Sequence, residues 1–217
     1  MSGRGGTSGR SPERREQLLE AADRAIDALG PGVRMEDIAA EAGITKPVIY
    51  RHFGDKGGLY EAIARRYAHE LQDRLEVALD VADDPREQLR TVIGAFLTAI
   101  EERPALYRFL LHRAAAERPE VSQAAGDFTH ELGRRIAVVL DTQFARYDLR
   151  LDHPELVAHG LIGMVHQVSD WWLVADGIPR DDLRDLLVRM VWAGLPAVGI
   201  GDLDEARTQW RGEPGGP

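Results

Sequence analysis

Residues 33–56 read VRMEDIAAEAGITKPVIYRHFGDK. Two short helical segments, 35–42 and 46–52, flank Gly43-Ile44 and make a candidate helix-turn-helix. Helices that cross steeply need small residues where their backbones approach, and Ala39 and Ala42 supply them beside the apolar anchor Ile38. Gly43 suits the left-handed position that so short a turn requires. Ile44 is expected to point inward and Thr45 to cap the second helix. On that helix Ile49 and Phe53, four apart, share a buried face, and Pro47, Val48, Tyr50 and Arg51 are expected to project away from it. Lys46 reaches out from the first turn. A helix N-terminus carrying hydroxyl, ammonium, phenol and guanidinium groups suits a DNA groove, where some bind phosphate and others reach base edges.

Around this stretch the chain reads as all-α. Residues 1–10 are mostly Gly, Ser and Arg without periodicity and are expected to form a flexible arm containing Arg4 and Arg10. Ser11-Pro12-Glu13 gives a helix start, and Leu18, Ala22, Ile26 and Leu29 line one face until Gly30-Pro31-Gly32 ends the helix. After Gly54, Asp55 is placed to cap a long helix reaching about Asp80. Asp83-Asp84-Pro85 connects to further helices near 86–102, 104–116, 119–147, 153–176 and 180–198. Pro104, Pro119, Pro154 and Pro179 stand near their starts, where a missing N–H is tolerated. The expected division is an arm (1–10), a DNA-binding unit (11–55), a helical body (56–200) and a loose tail (201–217).

Composition narrows the function classes. With 44% hydrophobic and 29% charged residues the chain can bury a core, and without cysteine it has no disulfide, thiol catalysis or thiolate metal site. The N-terminus lacks the apolar stretch of a signal peptide, and His166, Gln167 and Asp170 interrupt the apolar run 161–174, so the expectation is a cytoplasmic protein with no membrane role. A net charge of −9 argues at first against nucleic acid, but residues 1–56 are neutral and the whole deficit falls on 57–217. Screening limits repulsion from that acidic body to about 10 Å. The chain's only lysines, Lys46 and Lys56, lie in or beside the candidate DNA-reading segment.

The segment resembles the helix-turn-helix of the TetR family, I-A-x-x-A-G-[VI]-[ST]-x-x-x-[LI]-Y-x-H-F-x-x-K-x-x-L. Ile38, Ala39, Ala42, Gly43, Ile44, Thr45, Ile49, Tyr50, His52, Phe53, Lys56 and Leu59 meet it in register, within a resemblance covering about 12–65. The resemblance implies that Thr45, Tyr50, His52 and Lys56 grip phosphates, and that Lys46, Pro47 and Arg51 lie nearest the base edges. At three places the sequence departs from the pattern. Arg34 stands where many members have a capping threonine, although a cation there can still reach phosphate. Val48 replaces a frequent threonine, exchanging a hydrogen bond for an apolar contact such as a thymine methyl. Gly57-Gly58 replaces better helix formers and is the expected place of flexing, at about 1 kcal/mol per glycine relative to alanine.

For the body the resemblance implies a homodimer through the last two long helices, double-stranded DNA with a palindromic operator as partner, and a largely apolar small-molecule effector. Leu156, His159, Gly160, Gly163, Met164, Gln167 and Trp171, then Leu183, Leu186, Leu187, Met190, Val191 and Gly194, recur at spacings compatible with that interface. An ordinary internal core fits the same spacing. Candidate effector-lining residues are Phe96, Ile100, Tyr107, Phe109, Phe128, Met164, His166 and Trp171, and core packing accounts for any one of them equally well. The expected outcome in such a protein is repression relieved by the effector. Alternatives are a DNA-organising protein without sensing, for which the Arg4/Arg10 arm would matter more, and a helical enzyme or metal protein. For the last, His159, His166 and Asp170 on one helix are a loose set, and the chain has neither a phosphate loop nor a nucleophile elbow, so no enzyme, cofactor or metal is expected.

Overall fold

A computed structural model describes residues 12–80, 84–117, 119–146, 149–175 and 177–195. The arm with Arg4 and Arg10, the Ser11 cap, Asp83 and the tail lie outside these residues. Among the described residues the structure is all-helical and contains no strand. No helix there is long and apolar enough to cross a membrane. The chain divides into two compact units, the first running through His69 and including Arg103–Ala125, the second comprising Glu70–Glu102 and the chain from Gly126 onward.

The first unit holds α1 (Pro12–Leu29), α2 (Met35–Glu41), α3 (Lys46–Phe53) and the beginning of α4 (Lys56–Asp80). It also holds α6 (Pro104–Arg108), a π-helical segment (Phe109–Ala114), α7 (Ala115–Glu117) and the first turns of α8 (Pro119–Arg146). One core joins Leu18, Ala22 and Ile26 of α1 to Ile38, Ile49 and Phe53 of the short helices, Leu59, Tyr60 and Ile63 of α4, and Leu106 and Phe109. Each of the larger apolar side chains contributes about 1.5–3 kcal/mol when fully buried. Tyr60 and Phe109 meet edge to face, their ring centroids 4.8 Å apart. Leu29, expected on the buried face, is instead exposed, because α1 ends there and left-handed Gly30 turns the chain away. The parting of the units also differs from the expected boundary after residue 55. Leu59, Tyr60 and Ile63 share the core of the helix-turn-helix, as do Leu106, Phe109, Leu110, Ala114 and Val121.

A buried carboxylate ties this unit together. Asp23 of α1 receives Arg66 of α4 and, at 3.0 Å, Arg103, the N-cap residue of α6. Arg103 also holds Asp27 at 3.0 Å. Burial pushes the Asp23 carboxyl above its usual range while both guanidiniums pull it down.

The second unit contains the rest of α4 and α8, with α5 (Pro85–Glu102), α9 (Pro154–Trp172) and α10 (Arg180–Gly194). Its core includes Leu140, Phe144, Leu149, Leu151, Ala158 and Val191. α5 lies along α10, joined by Arg90–Asp185 at 2.5 Å and Glu101–Arg180 at 2.8 Å. Gly133 of α8 gives room to the His159 imidazole of α9, which would stand 2.5 Å from a Cβ there. α9 stops at Trp172, short of the expected 176, where the Trp172 indole N–H donates to the Ile178 carbonyl at 2.8 Å as the chain folds back. Gly177, in a left-handed conformation, permits that return.

Candidate nucleic-acid interface

The turn between α2 and α3 is closed by the backbone. Gly43 N–H donates to Ala40 O at 3.0 Å and Ile44 N–H to Ala39 O at 2.9 Å, with Gly43 at φ +64°. This paired closure satisfies the last carbonyls of α2, and Ile44 rests against the core beside it. Ala39 is buried where the two helices approach. The hydrophobic pins of α3 are Ile49 and Phe53, and the Arg15 guanidinium lies over the Phe53 ring, 4.8 Å from its centroid.

With that face held, Thr45, Pro47 and Arg51 are exposed, and Lys46 and Val48 half-buried. Thr45 occupies the N-cap position in extended conformation, but its hydroxyl makes no capping bond to α3. Tyr50, expected to project outward, is half-buried and packs against the core. One residue from Ile49, it lies at the border between the buried and open faces. His52 is half-buried at the other end of α3. Gly54 closes α3 at φ +85°, its N–H donating to Tyr50 O at 2.7 Å.

Arg34 is the N-cap of α2, and the capping function has moved to Asp37. The Asp37 carboxylate accepts the Arg34 backbone N–H at 2.9 Å and its guanidinium at 3.2 and 3.3 Å. The acid half of a capping box is thus kept, and a cation stands in the place of the hydroxyl. Hydrogen bonding from Arg34 holds the Asp37 carboxyl below its usual range. At the start of α4, Asp55 caps as expected, accepting the Gly58 N–H at 2.8 Å. A Cβ on Gly58 would stand 2.0 Å from the Phe53 carbonyl oxygen, so close approach explains this glycine without any appeal to flexing.

The lysines are both paired. Lys46 Nζ lies 2.5 Å from Glu36 Oε1 of α2, and Lys56 Nζ lies 2.5 Å from Glu117 Oε2 of α7. These hydrogen bonds raise both ammonium pKa values and lower both carboxyl ones. Glu117 also takes Arg113 at 3.1 Å, and Arg113 donates to the Pro31 carbonyl at 3.0 Å. Sequence reading missed Glu36, Asp37 and Glu117. Asp37 carried a signal, an acid three residues after an N-cap, whereas Glu117 is 61 residues from Lys56 and carried none.

The candidate effector-lining residues do not fall in one unit. Tyr107 and Phe109 are buried in the first; Phe96, Ile100, Phe128, Met164, His166 and Trp171 belong to the second. There Ile100 is fully buried, Met164 packs against the core, and Phe96, Phe128 and His166 are half-buried. Trp171 is 55% exposed. The ambiguous spacing of the last two helices resolves into faces: Leu183, Leu187 and Val191 enter the unit's own core, while Leu186 and Met190 face outward. On α9, Leu156, Gly160, Gly163, Gln167 and Trp171 form a second outward stripe. Nothing lies within 4 Å of a Cβ built on Gly160, Gly163 or Gly194.

Known proteins share both parts of the chain. Residues 18–63 match the family described as bacterial regulatory proteins, tetR family, and residues 74–207 match the tetracyclin repressor-like C-terminal domain. The HTH-type transcriptional activator FasR of Mycolicibacterium smegmatis is 31% identical over 87% of this chain and 85% of its own length. An uncharacterized HTH-type transcriptional regulator of Mycobacterium tuberculosis is 28% identical over 91% and 84%. Among solved structures, a tetR-family regulator from Streptomyces coelicolor superposes with a TM-score of 0.68 at 26% identity, covering 93% of this chain and 88% of that one. With both halves matched and the helix-turn-helix built as described, the chain belongs to the TetR family of DNA-binding transcriptional regulators.

Proposed function

We propose that this regulator works as a homodimer, binds a palindromic operator through the exposed N-terminal end of α3, and is released by a small, largely apolar effector. The observation that carries the reading is the division of α3 into a pinned face, Ile49 and Phe53, and an open one bearing Thr45, Lys46, Pro47 and Arg51. Lys46, Pro47, Val48 and Arg51 address the groove, with Arg34, Thr45, Tyr50, His52 and Lys56 toward the phosphates. The outward stripes of α9 and α10 support dimerisation, since apolar and small residues in rows are costly to leave in water. Two recognition helices related by a twofold axis then require a palindrome, with half-sites about 34–36 Å apart or a multiple of that. Support for an effector comes from family membership and from the partly buried Phe96, Phe128, Met164 and His166 in the second unit. The effector acts by favouring a conformation of the body that α4, which contributes to both units, transmits to the recognition helix.

The direction of regulation has two readings. Repression follows when the operator overlaps a promoter; activation is favoured by the relative FasR, which is named an activator. Fluorescence anisotropy against the DNA upstream of its own gene, with a scrambled duplex and Tyr50→Ala as controls, tests the binding. Nanomolar, salt-sensitive binding lost in both controls is expected, and equal binding to both duplexes would point to a DNA organiser. A promoter-reporter assay with and without the protein then gives the sign.

A further inference from the structure

Glu36 stands in the first turn of α2, where its carboxylate accepts its own backbone N–H but fills no part of the core. On α2, Met35, Ile38 and Ala39 fill the core, and Asp37 accepts the N-cap N–H. The Glu36 side chain is 56% exposed, yet its carboxylate reaches across ten residues of sequence to the ammonium of Lys46, the first residue of α3. That ammonium stands at the end of the helix that faces DNA in the function proposed above, on which this inference rests. A carboxylate oxygen and a phosphate oxygen are competing acceptors for the same N–H groups, and the carboxylate also repels the phosphate.

We propose that Glu36 is an affinity- and specificity-setting residue, a built-in competitor that holds the Lys46 ammonium away from the DNA groove and the phosphates lining it until the operator displaces it. Non-specific binding consists almost entirely of cation–phosphate contacts, so withholding one of few cations weakens it at least as much as operator binding. The neighbouring cations sharpen this. Arg34 is occupied by Asp37 and Lys56 by Glu117. Among the described residues of 33–56, Arg51 is the exposed cation on α3 for which no carboxylate stands within ion-pair distance. Freeing Lys46 would therefore roughly double the recognition helix's available charge, and would do so for any sequence of duplex.

The test is anisotropy titration of the full chain and of Glu36→Gln, against operator and scrambled duplex, at two salt concentrations. The scrambled duplex is expected to bind about three- to tenfold more tightly to the variant, and the operator to gain no more than that, so the ratio between them does not rise. In a Lys46→Gln background the Glu36→Gln gain is expected to fall to the small change that Glu41→Gln gives, the part due to general charge repulsion. Glu41→Gln, on the same helix but paired with Arg24, is the charge-matched control and is expected to leave both affinities nearly unchanged. Weaker or unaltered binding by Glu36→Gln, a gain confined to the operator, persistence of the full gain without Lys46, or an equal gain from Glu41→Gln would each overturn the proposal. If the unsubstituted chain bound no duplex at all, the DNA-facing assignment of α3 would itself fall, a result distinct from these. Equal melting temperatures of the variants establish that the comparison is between folded proteins.

Discussion

The two units differ in how their helices are specified. In the first, the apolar residues of 33–56 share one core with Leu18, Tyr60 and Phe109. In the second, long helices carry apolar residues on more than one side, and Leu156, Trp171, Leu186 and Met190 remain in the open. A short helix has one face to bury, so its pattern fixes its placement. A long amphipathic helix states that a face is buried and leaves open whether the partner is its own chain or another copy.

Four substitutions would break or sharpen this contrast. The largest effect is expected from Phe109→Ala, at about 3–5 kcal/mol of stability in urea denaturation. Hydrogen exchange should show the loss at α2 and α3, far from Phe109 in sequence; unaltered protection there would mean that the first unit does not fold as one body. Next, Leu186→Asp should leave the protomer folded while weakening self-association by about a hundredfold, as truncating an interface hot spot does. Sedimentation velocity that found the same oligomer in both proteins would return the α9–α10 stripes to mere exposure. Gly58→Ala should then cost about 1–3 kcal/mol despite the better helix propensity of alanine, because the new Cβ meets the Phe53 carbonyl. A raised melting temperature would contradict that close approach. Smallest is Glu117→Gln. Hydrogen bonding from Lys56 depresses the Glu117 carboxyl, so its contribution is present above the unfolded pKa and is lost as pH falls through the folded one. The variant should be slightly less stable at neutral pH and indistinguishable from the parent in acid, in melts taken between pH 7 and pH 3.

These differences also explain what was legible in the sequence. The helix starts were, because proline and aspartate act locally: α1, α6, α8 and α9 all begin at proline, and Asp55 caps α4. The helix-turn-helix was too, since Gly43, Ile49 and Phe53 define their positions within a dozen residues. Tyr50 was read as outward because helical spacing alone does not decide a residue at the border of two faces. The core shared by Tyr60 and Phe109, and the pairing of Lys56 with Glu117, were invisible for another reason. They depend on how segments distant in the chain are brought together, which no local period encodes. Leu29 was misplaced because a helix end, unlike its middle, can turn a periodic position into solvent.

The π-helical segment Phe109–Ala114 behaves as an α-helix that has taken in a surplus residue. Such an insertion resets helical phase: everything after it is rotated by about 100° relative to an uninterrupted helix. Arg113 and Glu117 lie within or just beyond it, and reach Pro31 and Lys56 from that rotated position. A one-residue deletion between Phe109 and Ala114 should therefore restore a plain α-helix yet swing both side chains off their partners. The length of this one turn therefore sets whether Glu117 keeps hold of Lys56, the lysine just beyond the recognition helix.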